Sequence, residues 1–215
     1  MTDATTTQLP DLDEPHALRA DVYRLLARLL REAPDRTLID WLSGLEAEDD
    51  GSALASGWAA LAAAARETSP EALARAHFRH LVGVIEGDVL PYASWYRNGC
   101  LMDEALLALR RDLRQLGYER TEHTRDPEDH LAALCEVMAM LIETRSPAEA
   151  KFFMRHLAPW AARCFADLEA VDTPFYSRLG QLGRAFTDME LGRLEREASQ
   201  EPVRLVEPCP PHIGP

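Results

Sequence analysis

Strand-forming residues, basic residues and long apolar runs are all scarce in this sequence. Valine and isoleucine together number 12 of 215 residues, whereas alanine and leucine together number 63. Because β-branched residues favour strands while alanine and leucine favour helices, this ratio argues against a β-sheet protein and predicts an all-α fold. No apolar stretch approaches the roughly 20 residues that cross a bilayer.

The shortage of basic residues excludes further classes. Lysine and arginine number 23 against 36 aspartates and glutamates, which gives a formal net charge of −13. A general nucleic-acid binder needs a basic surface, and so does a protein that docks on anionic lipid, so both classes are excluded. A basic partner remains compatible with this charge, although most charged residues only keep a surface solvated.

The cysteines and the first residues of the chain indicate where in the cell the protein is located. Cys100, Cys135, Cys164 and Cys209 are widely scattered, without the close spacing of a zinc site or a redox motif. Residues 1–12 are polar and acidic and lack the apolar run of a signal peptide. The sequence therefore predicts a soluble cytoplasmic protein without stable membrane insertion.

Apolar residues recur at three- and four-residue steps through most of the chain, which predicts a single helical bundle. The helices are expected at residues 14–32, 35–42, 53–66, from 70 through 81, 102–116, 126–144, from 147 to about 168 with a kink at Pro159, and 173–198. We expect a disordered tail at residues 1–13, one all-helical domain at 14–200 with a long loop at 83–100, and an irregular tail at 201–215. Alanines in the helix at 53–66 predict a close approach of a neighbouring helix.

Helical periodicity stops between residues 83 and 100, where three glycines and Pro91 interrupt it. Loops of this length in compact helical domains are usually functional or disordered. This one carries Tyr92, Trp95 and Tyr96, too many aromatic residues for a disordered linker. Two interpretations stay open: aromatic anchors of a peptide groove, or a loop folded over the core by its own aromatic side chains.

Carboxylates follow one face of the helix predicted after Asp126. Asp129, Glu136 and Glu143 share this face with small or flexible residues, whereas the opposite face is apolar. Such a surface suits a bound chain that carries arginines and short apolar side chains. The alternative is structural, because Asp126 and Asp129 are also plausible capping residues and the glutamates can be simply solvated.

Histidines supply the main rival hypothesis, a helical metal- or haem-binding oxidoreductase that would use His77, His80 and His156. Their spacing lacks a second paired ligand motif, and the Cys209–His212 segment resembles only half of a metal site. The sequence also contains no phosphate-binding loop and no nucleophile elbow. We therefore expect no cofactor and no metal. A third hypothesis is a structural helical adaptor.

Five segments, in this order, resemble the TorD/DmsD family of redox-enzyme maturation chaperones, to which nitrate-reductase chaperones of similar build are related. They are YRLLARLL at 23–30, LVG at 81–83, LPYASWY at 90–96, DPEDHL at 126–131 and FFMRHLAPW at 152–160. His80 departs from the pattern, because many members carry an apolar residue there.

The resemblance implies an all-helical, non-enzymatic chaperone that binds the twin-arginine leader and the apo-catalytic subunit of a molybdopterin-dependent oxidoreductase. It would shield the leader from premature export until the cofactor is inserted. The residues expected to bind the leader are Asp129, His130, Glu136, Leu81, Tyr92, Ser94, Trp95 and Tyr96. The sequence leaves open whether the protein is a monomer or a helix-exchanged dimer.

Overall fold

A computed structural model describes residues 14–46, 50–83, 87–119 and 126–200. The tails predicted at 1–13 and 201–215 lie outside the described residues. Within these ranges the chain forms ten α-helices and no β-strand, which confirms the prediction of an all-α, TorD-like fold. None of the helices in the described part is both long and apolar enough to span a bilayer.

The helices follow one another closely along the chain. Their bounds are α1 Glu14–Arg31, α2 Arg36–Ser43, α3 Ala53–Arg66, α4 Pro70–His77, α5 Ala93–Asn98, α6 Glu104–Gln115, α7 Leu131–Glu143, α8 Glu149–His156, α9 Ala161–Glu169 and α10 Pro174–Gln200. A π-helical segment, Phe78–Val82, continues α4.

Local capping signals start several of these helices. Asp35, Ser52 and Ser69 each precede a helix, and their side chains accept a hydrogen bond from a backbone N–H in its first turn. Pro70 occupies the first turn of α4, where no intrahelical donor is needed. Such interactions involve residues three apart or fewer, which is why the sequence predicts these starts closely.

The core is built around α7 and α10. Nine of the thirteen residues of α7 are buried, and α1 packs along it. Helix α10 packs against α3 and α9. A Cβ atom added at Gly57 of α3 would lie 3.2 Å from the Cα of Leu182 of α10. This confirms the close approach predicted from the small residues of α3.

Three elements differ from the prediction. Residues 157–160 separate α8 from α9, so the chain breaks into two helices before and after Pro159 instead of bending within one. The loop expected at 83–100 contains the short helix α5. The helix expected to start at Asp126 starts at Leu131, because His130 is its capping residue.

Candidate functional site

Residues 91–94 and 129–131 are joined at the point where α5 and α7 begin. Tyr92 and His130 form an isolated antiparallel bridge. The Leu131 N–H donates to the Pro91 carbonyl at 2.7 Å, and the Ala93 N–H donates to the Asp129 carbonyl at 3.0 Å. The backbone therefore brings together two segments that lie more than 30 residues apart in the sequence.

The Asp129 side chain forms the centre of this junction. One carboxylate oxygen, Oδ2, accepts hydrogen bonds from the Ser94 backbone N–H at 2.9 Å and from the Ser94 Oγ hydroxyl at 2.6 Å. The other oxygen, Oδ1, is buried and has no hydrogen-bond partner in the described structure. Asp129 itself is 0% exposed. Its prediction as a member of an open carboxylate face on α7 is wrong, because it precedes that helix and points to Ser94.

His130 caps α7. Its Nδ1 atom accepts a hydrogen bond from the Ala132 N–H at 3.0 Å, which places the proton of the neutral ring on Nε2. Burial lowers the pKa of His130 to about 4; nearby Asp126 opposes this shift and Arg31 adds to it. The ring is thus neutral at neutral pH, and it meets the Tyr92 ring edge to face with centroids 5.0 Å apart. Capping by His130 was not predicted, since histidine is not among the residues that usually cap helices.

The aromatic side chains of α5 divide between core and surface. Tyr96 stacks on Trp160 at 5.5 Å and donates its hydroxyl hydrogen to Asp167 Oδ2 at 2.6 Å. Burial, with contributions from Cys164 and Asp167, raises its pKa well above the ordinary value. Trp95 is 39% exposed. The interpretation of a segment folded over the core therefore describes Tyr96, whereas Trp95 faces solvent.

Tyr92 is partly buried and Leu81 is buried. Burial, followed by the nearby Asp126 carboxylate, raises the pKa of Tyr92 to about 12. Leu81 is buried in the π-helical segment. The exposed apolar side chains of that segment are Phe78 and Val82, which are not among the residues predicted to bind the leader.

The glutamates on α7 already have partners. Glu136 accepts two hydrogen bonds from the Arg31 guanidinium, at 3.0 and 3.2 Å. Glu143 accepts two from Arg24, at 2.6 and 2.7 Å. Both arginines belong to α1, so part of the predicted carboxylate face helps to hold α1 against α7.

The histidines of the oxidoreductase hypothesis each have a partner within the fold. His77 Nε2 lies 3.3 Å from the Leu30 carbonyl, and His156 Nε2 lies 2.7 Å from Asp112. His80 lies between Asp88 and Thr173, each at 2.7 Å. Among the residues that the structure describes, no three His, Cys, Asp or Glu side chains are placed to hold a metal ion.

Comparison with known protein families shows to which family the chain belongs. A family model for the nitrate reductase delta subunit matches residues 47–166, more than half of the sequence. The chain belongs to this family. The matched region includes α3 to α8 and the whole junction around Asp129, and membership confirms the resemblance to the TorD/DmsD group.

Curated relatives of this nitrate reductase delta subunit family member include proteins named DmsD and TorD. The Tat proofreading chaperone DmsD of Salmonella typhi is 34% identical over 135 residues, which cover 60% of this chain and 66% of that protein. The chaperone protein TorD of Actinobacillus succinogenes is 34% identical over 104 residues, which cover 46% and 54%. The chain thus matches just under two thirds, or less, of the length of these relatives.

A solved structure supports the fold. A proposed redox enzyme maturation protein from Archaeoglobus fulgidus superposes with a TM-score of 0.52, covering 86% of this chain and 99% of the other. Since the sequences are only 16% identical, this likeness concerns the fold alone.

Proposed function

We propose that this protein is a cytoplasmic maturation chaperone and not an enzyme. It binds the twin-arginine leader and the apo-form of a molybdopterin-dependent oxidoreductase, assists cofactor insertion and delays export until the enzyme is complete. Membership of the family and the similarity to a Tat proofreading chaperone and to a TorD chaperone support this proposal.

The observation that carries the proposal is the unpaired Oδ1 atom of Asp129. A buried acceptor without a partner costs about 1–3 kcal/mol, so a donor that reaches Oδ1 would stabilise the site. Because Asp129 is 0% exposed, such a donor reaches it only when the α5–α7 junction opens. A peptide N–H or an arginine guanidinium is such a donor. Asp129 also anchors α5, which carries the partly exposed Trp95. Trp95 offers an apolar surface to the bound leader peptide.

The remaining predicted residues act around this point. Ser94 holds the Asp129 carboxylate, Tyr92 packs on His130, and His130 keeps the start of α7 in position. Tyr96 packs on Trp160, and Leu81 is buried in the π-helical segment. The side chain of Glu136 is 48% exposed, so a leader arginine can replace Arg31 there. An exposed ion pair contributes only about 0–1 kcal/mol, so this exchange costs little.

A leader titration tests the proposal. The probe is a synthetic leader peptide with an Arg-Arg pair and an apolar run, with a Lys-Lys peptide as its matched control. Isothermal titration calorimetry is expected to show tighter binding of the Arg-Arg peptide, because two-pronged guanidinium pairing is lost with lysine. Trp95→Ala and Asp129→Asn are each expected to weaken binding about tenfold.

Leu107→Ala is the control variant, because Leu107 is an exposed apolar side chain on α6, outside the junction around Asp129. Circular dichroism checks that each variant is folded. If folded Trp95→Ala and Asp129→Asn proteins bind as the unmodified protein does, the leader site lies elsewhere. If the unmodified protein does not bind the Arg-Arg peptide, the proposed function is wrong.

A further inference from the structure

An open apolar groove lies on the side of the molecule formed by α1, α2, α3 and α10. Its volume is about 520 Å³, and its walls include Leu18, Trp41, Trp58 and Phe186. Leu18 is 58% exposed and Trp41 is 53% exposed. Large apolar side chains exposed together, beside a concave surface, mark a site of interaction more often than a solvated surface. No residue of the junction around Asp129 lines this groove.

The rim of the groove is acidic. Asp21, Glu46 and Asp50 line it, and none of the three forms a salt bridge with a residue in the described ranges. Hydrogen bonds from Ser52 lower the pKa of Asp50 below its ordinary value. Among the described residues that line the groove, Arg19 is the basic one, and it is paired with the buried carboxylate of Glu190.

Charge argues against an occupant from this protein itself. Residues 1–13 carry three aspartates and no basic residue, and residues 201–215 carry two glutamates against one arginine. A second copy of the chain, with its net charge of −13, would be repelled by the same rim. The complementary occupant is therefore a basic segment of another protein.

The groove walls favour a helical occupant. They are mainly helices, whose backbone N–H and C=O groups are already paired, so they offer no edge to which an extended chain could add. We propose that this groove, separate from the leader site, binds a basic amphipathic helix of a partner protein. Its apolar side chains enter between Leu18, Trp41 and Trp58, and its arginines or lysines meet the acidic rim.

Fluorescence anisotropy with designed peptides tests this proposal on the full-length protein. The probe is a labelled amphipathic helix of leucine and arginine, about 15 residues long so that it can form a helix. A leucine and glutamate peptide with the same apolar face is its control. We expect binding of the arginine peptide alone, weakening as salt is raised, because exposed charges are screened.

Matched variants locate the binding. Leu18→Ser and Asp21→Asn are each expected to weaken binding about fivefold or more. Leu107→Ser is the apolar control, because Leu107 is also 58% exposed but lies on α6. Glu195→Gln is the acidic control on α10, outside the groove lining.

Three results would overturn the proposal: equal binding of the glutamate peptide, no binding of the arginine peptide to the unmodified protein, or equal losses in groove and control variants. The leader titration gives an independent result. Groove variants that lose the arginine peptide but keep the leader peptide would separate the two sites.

Discussion

At the scale of single residues, the junction around Asp129 depends on two buried polar side chains with different tasks. Asp129 holds the start of α5 through Ser94, and His130 caps α7 as an uncharged ring. The DPEDHL segment was identified from the sequence as a candidate binding motif. The sequence did not predict that Asp129 and His130 of this segment point inward, because their orientation depends on contacts with residues 91–94.

The neutral state of His130 predicts a pH dependence of stability. Its folded-state pKa of about 4 lies below the ordinary value of about 6.5, so the unfolded chain takes up a proton at a higher pH than the folded one does. The contribution of neutral His130 to the free energy of unfolding is therefore complete above about pH 6.5. It is lost as the pH falls towards 4, and the loss is at most about 3 kcal/mol.

His130→Asn tests this dependence, because asparagine can still cap the helix but does not titrate. Urea unfolding at pH 7 and pH 4.5 is expected to show a smaller loss of stability for the variant than for the unmodified protein. Equal losses in the two proteins would contradict the neutral, buried state of His130.

At the scale of helices, α10 depends on glycines where it crosses α9. A Cβ atom at Gly180 would lie 2.6 Å from the Phe165 carbonyl oxygen, and one at Gly183 would overlap the Phe165 ring. These positions accept only glycine, because neither the α9 backbone beside Gly180 nor the buried Phe165 ring beside Gly183 can move aside cheaply. Periodicity predicts the length of α10, but the reason for its glycines lies in another helix.

Gly180→Ala is expected to lower the free energy of unfolding by about 2 kcal/mol, although alanine is the better helix former by about 1 kcal/mol. Gly192→Ala is the matched control on the same helix, since its Cβ would meet only the flexible end of Arg196 at 3.3 Å. This control is expected to gain about 0.5–1 kcal/mol in urea unfolding. A gain from both substitutions would contradict the tight crossing.

At the scale of the whole molecule, a buried ionic network ties α1, α8 and α10 together. Glu190 is 0% exposed and accepts hydrogen bonds from Arg19 and from Arg193. Both arginines also contact Glu149 of α8. Burial would raise the pKa of Glu190, but the hydrogen bonds from Arg19 and Arg193 outweigh burial and hold its pKa below the ordinary value.

The stability that Glu190 contributes is therefore present above its ordinary pKa of about 4.3 and is lost as the pH falls through the lower folded value. Glu190→Gln is expected to lower the free energy of unfolding by about 3 kcal/mol at pH 7, because Arg19 and Arg193, both partly buried, lose the charge of their shared buried carboxylate. The difference in the free energy of unfolding between the variant and the unmodified protein should become smaller below pH ~4.

Glu197→Gln provides the comparison for this network, since Glu197 pairs with the same Arg193 but its side chain is 57% exposed. Its effect on urea unfolding should stay within about 0.5 kcal/mol. If Glu197→Gln lowered the free energy of unfolding as much as Glu190→Gln does, burial would not explain the larger contribution of Glu190.

The amino-acid sequence by itself determined the all-α class, most helix bounds and the family, because periodicity, caps and motifs act over neighbouring residues. Local sequence signals were sufficient to predict the bounds of α3 and the start of α10. The same local rules misplaced the start of α7, where the capping residue is an unusual one.

Only the tertiary structure decided which charged groups are available to a partner. Arg24 and Glu143 pair although 119 residues separate them, and Arg31 and Glu136 pair across 105. The acidic groove likewise combines residues of α1, α2, α3 and α10. Helical periodicity tells which side chains share a face, but the packing of distant helices determines whether that face is covered, paired or open to solvent.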